Sequence, residues 1–77
     1  MDLRQVFAAN LRRLRHAKGL SQEALAHEAD IDRTYVSALE RSQYGATIDM
    51  VDKLAKALGV EPSSLLQRPI RPKQRRP

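Results

Sequence analysis

Apolar positions along the chain follow a helical beat. Leu3, Phe7, Leu11 and Leu14 recur every three or four residues, which lines them up on one stripe of an α-helix. Asp2 stands at the N-cap of that helix, Gln5 three residues on completes a capping-box pattern, and Gly19 stops it. Ser21 caps a second, short helix to about Ala29, with Leu25, Ala26 and Ala29 inward. Asp30-Ile31 forms a tight turn, and Asp32 caps a third helix to about Arg41 with Val36 and Leu39 inward. Gln43-Tyr44-Gly45-Ala46 reads as a loop. Thr47 caps a fourth helix that points Ile48, Val51, Leu54, Ala55 and Leu58 inward and ends at Gly59. Pro62 opens a fifth helix that carries Leu65 and Leu66. There is no alternating run, and β-branched residues are few, so strands are not expected. The pattern predicts an all-α domain of five helices over residues 1–67.

Length and composition narrow this further. The chain has 77 residues and no cysteine, so one small core must hold without disulfides or a thiolate metal site. His16 and His27 are 11 residues apart on different helices, which argues against a metal centre. No nucleophile–base pairing and no glycine-rich phosphate loop appears, so neither an enzyme nor a cofactor is expected. Asp49 and Asp52 lie beside Lys53 and Lys56 on the fourth helix and read as a solvated face. The segment Met1-Asp2-Leu3-Arg4 lacks an apolar signal core and no apolar run reaches spanning length, so the expected location is cytoplasmic.

The net charge of +5 is unevenly placed. Residues 68–77 hold Arg68, Arg71, Lys73, Arg75 and Arg76 and no acid, whereas residues 1–67 hold nine basic and nine acidic groups. With Pro69, Pro72 and Pro77 interleaved, 68–77 is expected to be a flexible basic tail, either solvated or tracking phosphates. Overall charge is therefore a weak argument about partners, and placement must carry it.

Ser21 to Arg41 comprises two short helices joined by a turn of about three residues, the layout of a helix-turn-helix. With Val36 and Leu39 toward the core, Thr34, Ser37, Ala38 and Arg41 point away, and Arg33 and Tyr35 lie on the flanks. A helix with small residues along its outer face fits a DNA major groove. The same face fits an ordinary solvent-exposed surface equally well.

Five stretches weigh against the ordinary surface. Leu11-Arg12-Arg13-Leu14-Arg15 is followed by Gly19-Leu20-Ser21-Gln22-Glu23-Ala24-Leu25-Ala26, then by Ile31-Asp32-Arg33-Thr34-Tyr35-Val36-Ser37-Ala38-Leu39-Glu40-Arg41. Leu54-Ala55-Lys56-Ala57-Leu58-Gly59-Val60 and Leu65-Leu66 complete the series. In order and spacing these resemble the Cro/repressor helix-turn-helix (XRE) family over roughly residues 6–66. Asp32 to Arg41 most resembles the controller proteins of restriction–modification systems.

The resemblance implies sequence-specific binding of double-stranded DNA, nucleoid association and transcriptional regulation, with helix 32–41 in the major groove. It implies base contacts by Arg33, Thr34 and Ser37, Arg33 to guanine and the Thr34 methyl to thymine. Gln22 would hydrogen-bond a phosphate at a helix N-terminus, and Tyr35, Arg41, Ser42 and Gln43 would contact the backbone. Arg15 and Glu40 would form an ion pair between the first and third helices. The sequence departs from the family pattern where Asp30 and Ser42 replace frequent glycines and Ala46 replaces a frequent proline. These departures bear on the 42–46 loop rather than on the fold.

A lone short domain makes few base contacts, so a homodimer on a palindromic operator is expected. Leu65, Leu66 and Ile70 are the candidate dimer residues, with one leucine closing the monomer core. No small-molecule ligand is expected. Two other readings use the same domain: the antitoxin of a toxin–antitoxin pair, and a protein–protein adaptor that does not bind DNA.

Overall fold

The computed structural model describes residues 2–69. It has five helices: α1 (Leu3–Ala17), α2 (Gln22–Ala29), α3 (Arg33–Glu40), α4 (Ile48–Leu58) and α5 (Pro62–Leu66), with no strand among the described residues. Ile70 and the rest of the tail lie outside the described residues.

The helix ends follow from cap chemistry. Asp2 accepts from the Gln5 backbone N–H at 2.9 Å, and Gln5 Oε1 accepts from the Asp2 N–H at 2.9 Å, a reciprocal capping box. Ser21, Asp32 and Thr47 each accept a first-turn N–H through the side chain. Pro62 starts α5, where its missing N–H leaves no helical bond unmade.

Two non-glycine residues adopt left-handed backbone, Asp30 at φ 59° and Ser42 at φ 60°. Asp30 closes α2, and its N–H bonds to the carbonyls of Ala26 and His27. Ser42 turns the chain after α3, and the Gln43 N–H then donates to the Ala38 carbonyl at 3.0 Å. Both positions are ones where glycine is frequent in the family, and aspartate enters this conformation more readily than most residues.

Leu11, Leu25, Val36, Leu39, Leu54 and Leu65 are fully buried and tie the helices into one core with Phe7, Ala26, Ala29, Val51, Ala55 and Leu58. α1 packs on α3 and α5, α2 packs on α3 and α4, and α4 packs on α5. Three expected orientations are corrected. Leu3 and Ile48 share the direction of the inward stripes but are 49% and 87% exposed. They sit in the first turns of their helices. Ala38 lies on the outward arc by periodicity, yet it is only 5% exposed. The turn that returns Gln43 to the Ala38 carbonyl folds over it.

A buried polar cluster holds α3. Arg15 Nε donates to Glu40 Oε2 at 2.6 Å, and Arg15 Nη2 donates to Glu40 Oε1 at 3.0 Å. Arg15 Nη1 also donates to the Leu20 carbonyl at 2.9 Å, so one guanidinium ties α1, the α1–α2 turn and α3 together. Gln22 Nε2 donates to Glu40 Oε1 at 3.0 Å from the start of α2, and Arg12 Nη1 donates to the Glu40 carbonyl at 3.0 Å. The last carbonyls of a helix lack partners within it, and Arg12 fills that need for α3. Burial pushes the Glu40 carboxyl up, but the hydrogen bonds from Arg15 and Gln22 and the charges of Arg15 and Arg12 outweigh it and hold the group below the usual glutamate range.

Removing one partner strands the other in a dry site. Arg15→Ala is expected to cost about 3–5 kcal/mol of folding stability at neutral pH, read by chemical denaturation. Because the Glu40 pKa is depressed on folding, its contribution is complete above its ordinary value of 4.5 and fades as pH falls through the folded value. In Arg15→Ala, burial dominates and favours the protonated acid, so the deficit against the parent narrows on acidification. A deficit independent of pH would contradict this assignment.

Candidate nucleic-acid interface

The clamp fixes which side of α3 meets solvent. Val36, Leu39 and Glu40 are buried toward the protein. Asp32, Arg33 and Thr34 are exposed at the N-terminal end, and Ser37 and Tyr35 are half-buried beside them. The exposed arc is thus concentrated in the first turn of α3, and the turn after α3 covers its second half at Ala38.

Two side chains in that first turn are locked together. Asp32 Oδ1 accepts from the Thr34 backbone N–H at 3.0 Å and from the Thr34 hydroxyl at 2.8 Å. The hydroxyl bond and then the backbone bond hold the Asp32 carboxyl below the ordinary aspartate range, with the adjacent Arg33 charge adding to them.

The C-terminal flank is built by the turn. Arg41 Nη2 donates to Gln43 Oε1 at 3.2 Å. Tyr44 is 58% exposed, and its ring centroid lies 6.4 Å from that of Tyr35 at a tilt of 47°, within the range of favourable edge-type aromatic contact. These residues line a groove of about 420 Å³ with Asp32, Thr34 and Ala38. Ser42 is half-buried at the left-handed turn and orients the groove rather than lining it.

The structure brings together Arg33, Thr34, Tyr35, Arg41 and Gln43 along α3 and its following turn, and it brings Arg15 and Glu40 into direct contact. Gln22 stands at the first turn of α2, half-buried, with its amide nitrogen on Glu40. It is a member of the clamp as well as an edge of the surface. Tyr44 and Arg12 belong to the arrangement too, although the sequence pattern does not single them out. The spacing of Arg12 and Arg15 places both on one face of α1, which was the available signal. For Tyr44 the signal was an aromatic residue in an otherwise polar loop.

Leu65 is fully buried and is the leucine that closes the monomer core, whereas Leu66 is 40% exposed. Adjacent helical positions diverge by about 100°, so only one of the two reaches the surface. Leu66 shares a groove of about 480 Å³ with Ile48, Val51, Asp52 and Pro62, and it lines a second cleft with Leu3 and Phe7. His16 and His27 are exposed, and no cluster of three potential metal ligands occurs among the described residues. No described helix is long and apolar enough to cross a membrane.

Comparison with known proteins agrees with this geometry. The helix-turn-helix family HTH_3 matches residues 11–65. A hypothetical transcription factor of Neisseria meningitidis serogroup B is 48% identical over 68 residues, covering 88% of this chain and 64% of that protein's length. The crystal structure of a Neisseria hypothetical transcription factor, NHTF, superposes with a TM-score of 0.86 at 48% identity over 88% of this chain and 78% of that one. Control protein C.BamHI of Bacillus amyloliquefaciens is 42% identical over 66 residues, covering 84% of this chain and 82% of the relative. The restriction–modification controller protein C.AhdI of Aeromonas hydrophila superposes with a TM-score of 0.78 at 47% identity, covering 80% of this chain and 94% of the other. The chain belongs to the HTH_3, Cro/repressor-type helix-turn-helix family of transcription regulators and controller proteins, and its relatives are regulators rather than enzymes.

Proposed function

We propose that this protein is a sequence-specific regulator that binds double-stranded DNA as a homodimer on a palindromic operator, with α3 in the major groove. The observation that carries this reading is the buried clamp on Glu40, which holds α3 with its polar first turn outward. Arg33, Thr34 and Ser37 then meet base edges, and Tyr35, Arg41, Ser42 and Gln43 meet the phosphate backbone. Gln22 serves two ends: one amide hydrogen stays on Glu40, and the other is left for a phosphate beside the first turn of α2. Relatives named as restriction–modification controllers support a role in controlling such a system. The protein acts in the cytoplasm, on the nucleoid.

The dimer forms through the exposed apolar strip of Leu3, Ile48, Pro62 and Leu66, with Leu65 as core support beneath it. Among the described residues, three of the four large exposed apolar side chains, Leu3, Ile48 and Leu66, lie on this strip, and an isologous pair would cover them by self-contact. Basic residues 68–77 begin next to α5 and add non-specific phosphate affinity.

Two measurements test this. Arg33→Ala is expected to weaken operator binding by about 1–3 kcal/mol and to relax preference at one base position per half-site, read by titration on operator and on random duplex. An equal loss on both duplexes would make Arg33 a phosphate contact. Ile48→Glu is expected to shift sedimentation from dimer to monomer while the far-UV circular dichroism of a five-helix fold persists, because the side chain is 87% exposed. An unchanged dimer would move the interface elsewhere.

A further inference from the structure

Thr34 is exposed, and it sits on the face of α3 proposed above to read DNA. Its chemistry is constrained in a way that its identity alone does not reveal. A threonine hydroxyl carries one proton. Here that proton is directed at Asp32 Oδ1 at 2.8 Å, and the same oxygen takes the Thr34 backbone N–H at 3.0 Å. The acceptor is an ionised carboxylate, which makes this the stronger class of hydrogen bond.

Threonine bears its hydroxyl and methyl on the same carbon, and rotation about χ1 is stiff. Fixing the hydroxyl therefore fixes the methyl. Thr34 has lost its donor and shows the surroundings a methyl group in one orientation. In the major groove only one base-edge feature is apolar, the C5-methyl of thymine, which 5-methylcytosine also carries.

We propose that Asp32 converts Thr34 into a reader of a pyrimidine C5-methyl group at one position of each half-site. Thr34 supplies the contact, and Asp32 is a positioning residue that touches no base. This inference rests on the DNA-reading function proposed above. It adds that Asp32 fixes the orientation of the Thr34 methyl and removes the hydroxyl as a donor, and it predicts that the protein senses cytosine 5-methylation wherever a cytosine occupies that position.

The test uses the full chain and the duplex selected by it. Thymines are replaced by deoxyuracil one position at a time. Uracil at one position per half-site is expected to weaken binding by about fourfold per half-site, the effect of one methyl group returned to water. At that position, 5-methylcytosine is expected to bind better than cytosine by a similar factor, which separates the methyl from the thymine O4. Thr34→Val, which keeps a methyl and lacks the hydroxyl, is expected to retain affinity and the preference for thymine over uracil. Thr34→Ser is expected to lose that preference. Asp32→Ala is expected to shrink it, and Asp32→Asn, which keeps an acceptor oxygen, to restore it.

If no uracil substitution changes affinity, or if Thr34→Val falls with Thr34→Ser, the hydroxyl does the reading and the proposal is overturned. A chain that enriches no sequence from a random pool fails earlier, at DNA reading itself.

Discussion

Glu40 is the acid on which this structure depends. Its side chain is 3% exposed, and three side chains from two other helices make four hydrogen bonds to the residue. A buried ion pair contributes modest net stability, because the Coulombic attraction is offset by the loss of hydration. What it supplies is geometry. A carboxylate gripped side-on by Arg15 and approached by Gln22 has few alternative arrangements, so α3 is held in one rotation and at one depth against α1 and α2. An apolar contact would tolerate small slides along the helix surface; a bidentate pair does not.

That constraint explains how a domain of this size presents α3 in one orientation. Its core is small, and α2 and α3 have eight residues each, too short to be stable alone. Their order comes from caps at each end, from Leu25, Val36 and Leu39 in the core, and from the polar clamp at the C-terminal end of α3. The N-terminal end of α3 is consequently free to carry exposed polar groups. Asp32 uses this freedom twice, capping the helix and setting the conformation of the residue two positions on. The division of labour runs along one short helix, with its last turn serving the protein and its first turn facing outward.

Helix boundaries were legible in the sequence because they are local. Asp2 with Gln5, Ser21, Asp32, Thr47 and Pro62 each solve a problem within four residues, and Gly19 and Gly59 adopt positive φ at the ends that they mark. The Arg15–Glu40 contact was legible only through resemblance to a family, since nothing local links residues 25 positions apart. Exposure at the helix ends was not legible. Ile48 has the periodicity of a core residue and lies at the surface, and Ala38 has the periodicity of a surface residue and lies beneath a turn. Both outcomes depend on which element covers the position, and that is set by tertiary packing. Gln22 shows the same limit: its position suggested a phosphate, while its bond to Glu40 appears only when α2 and α3 are docked.

The most direct measurement of the central claim, that a rigidly held α3 reads DNA as one of a two-fold pair, is selection from a random duplex pool by the purified full chain. The account predicts a consensus with two inverted half-sites whose centres lie about one helical turn, or a multiple of it, apart. A consensus without two-fold symmetry, or a pool that stays random while binding is strong at low salt, would contradict it.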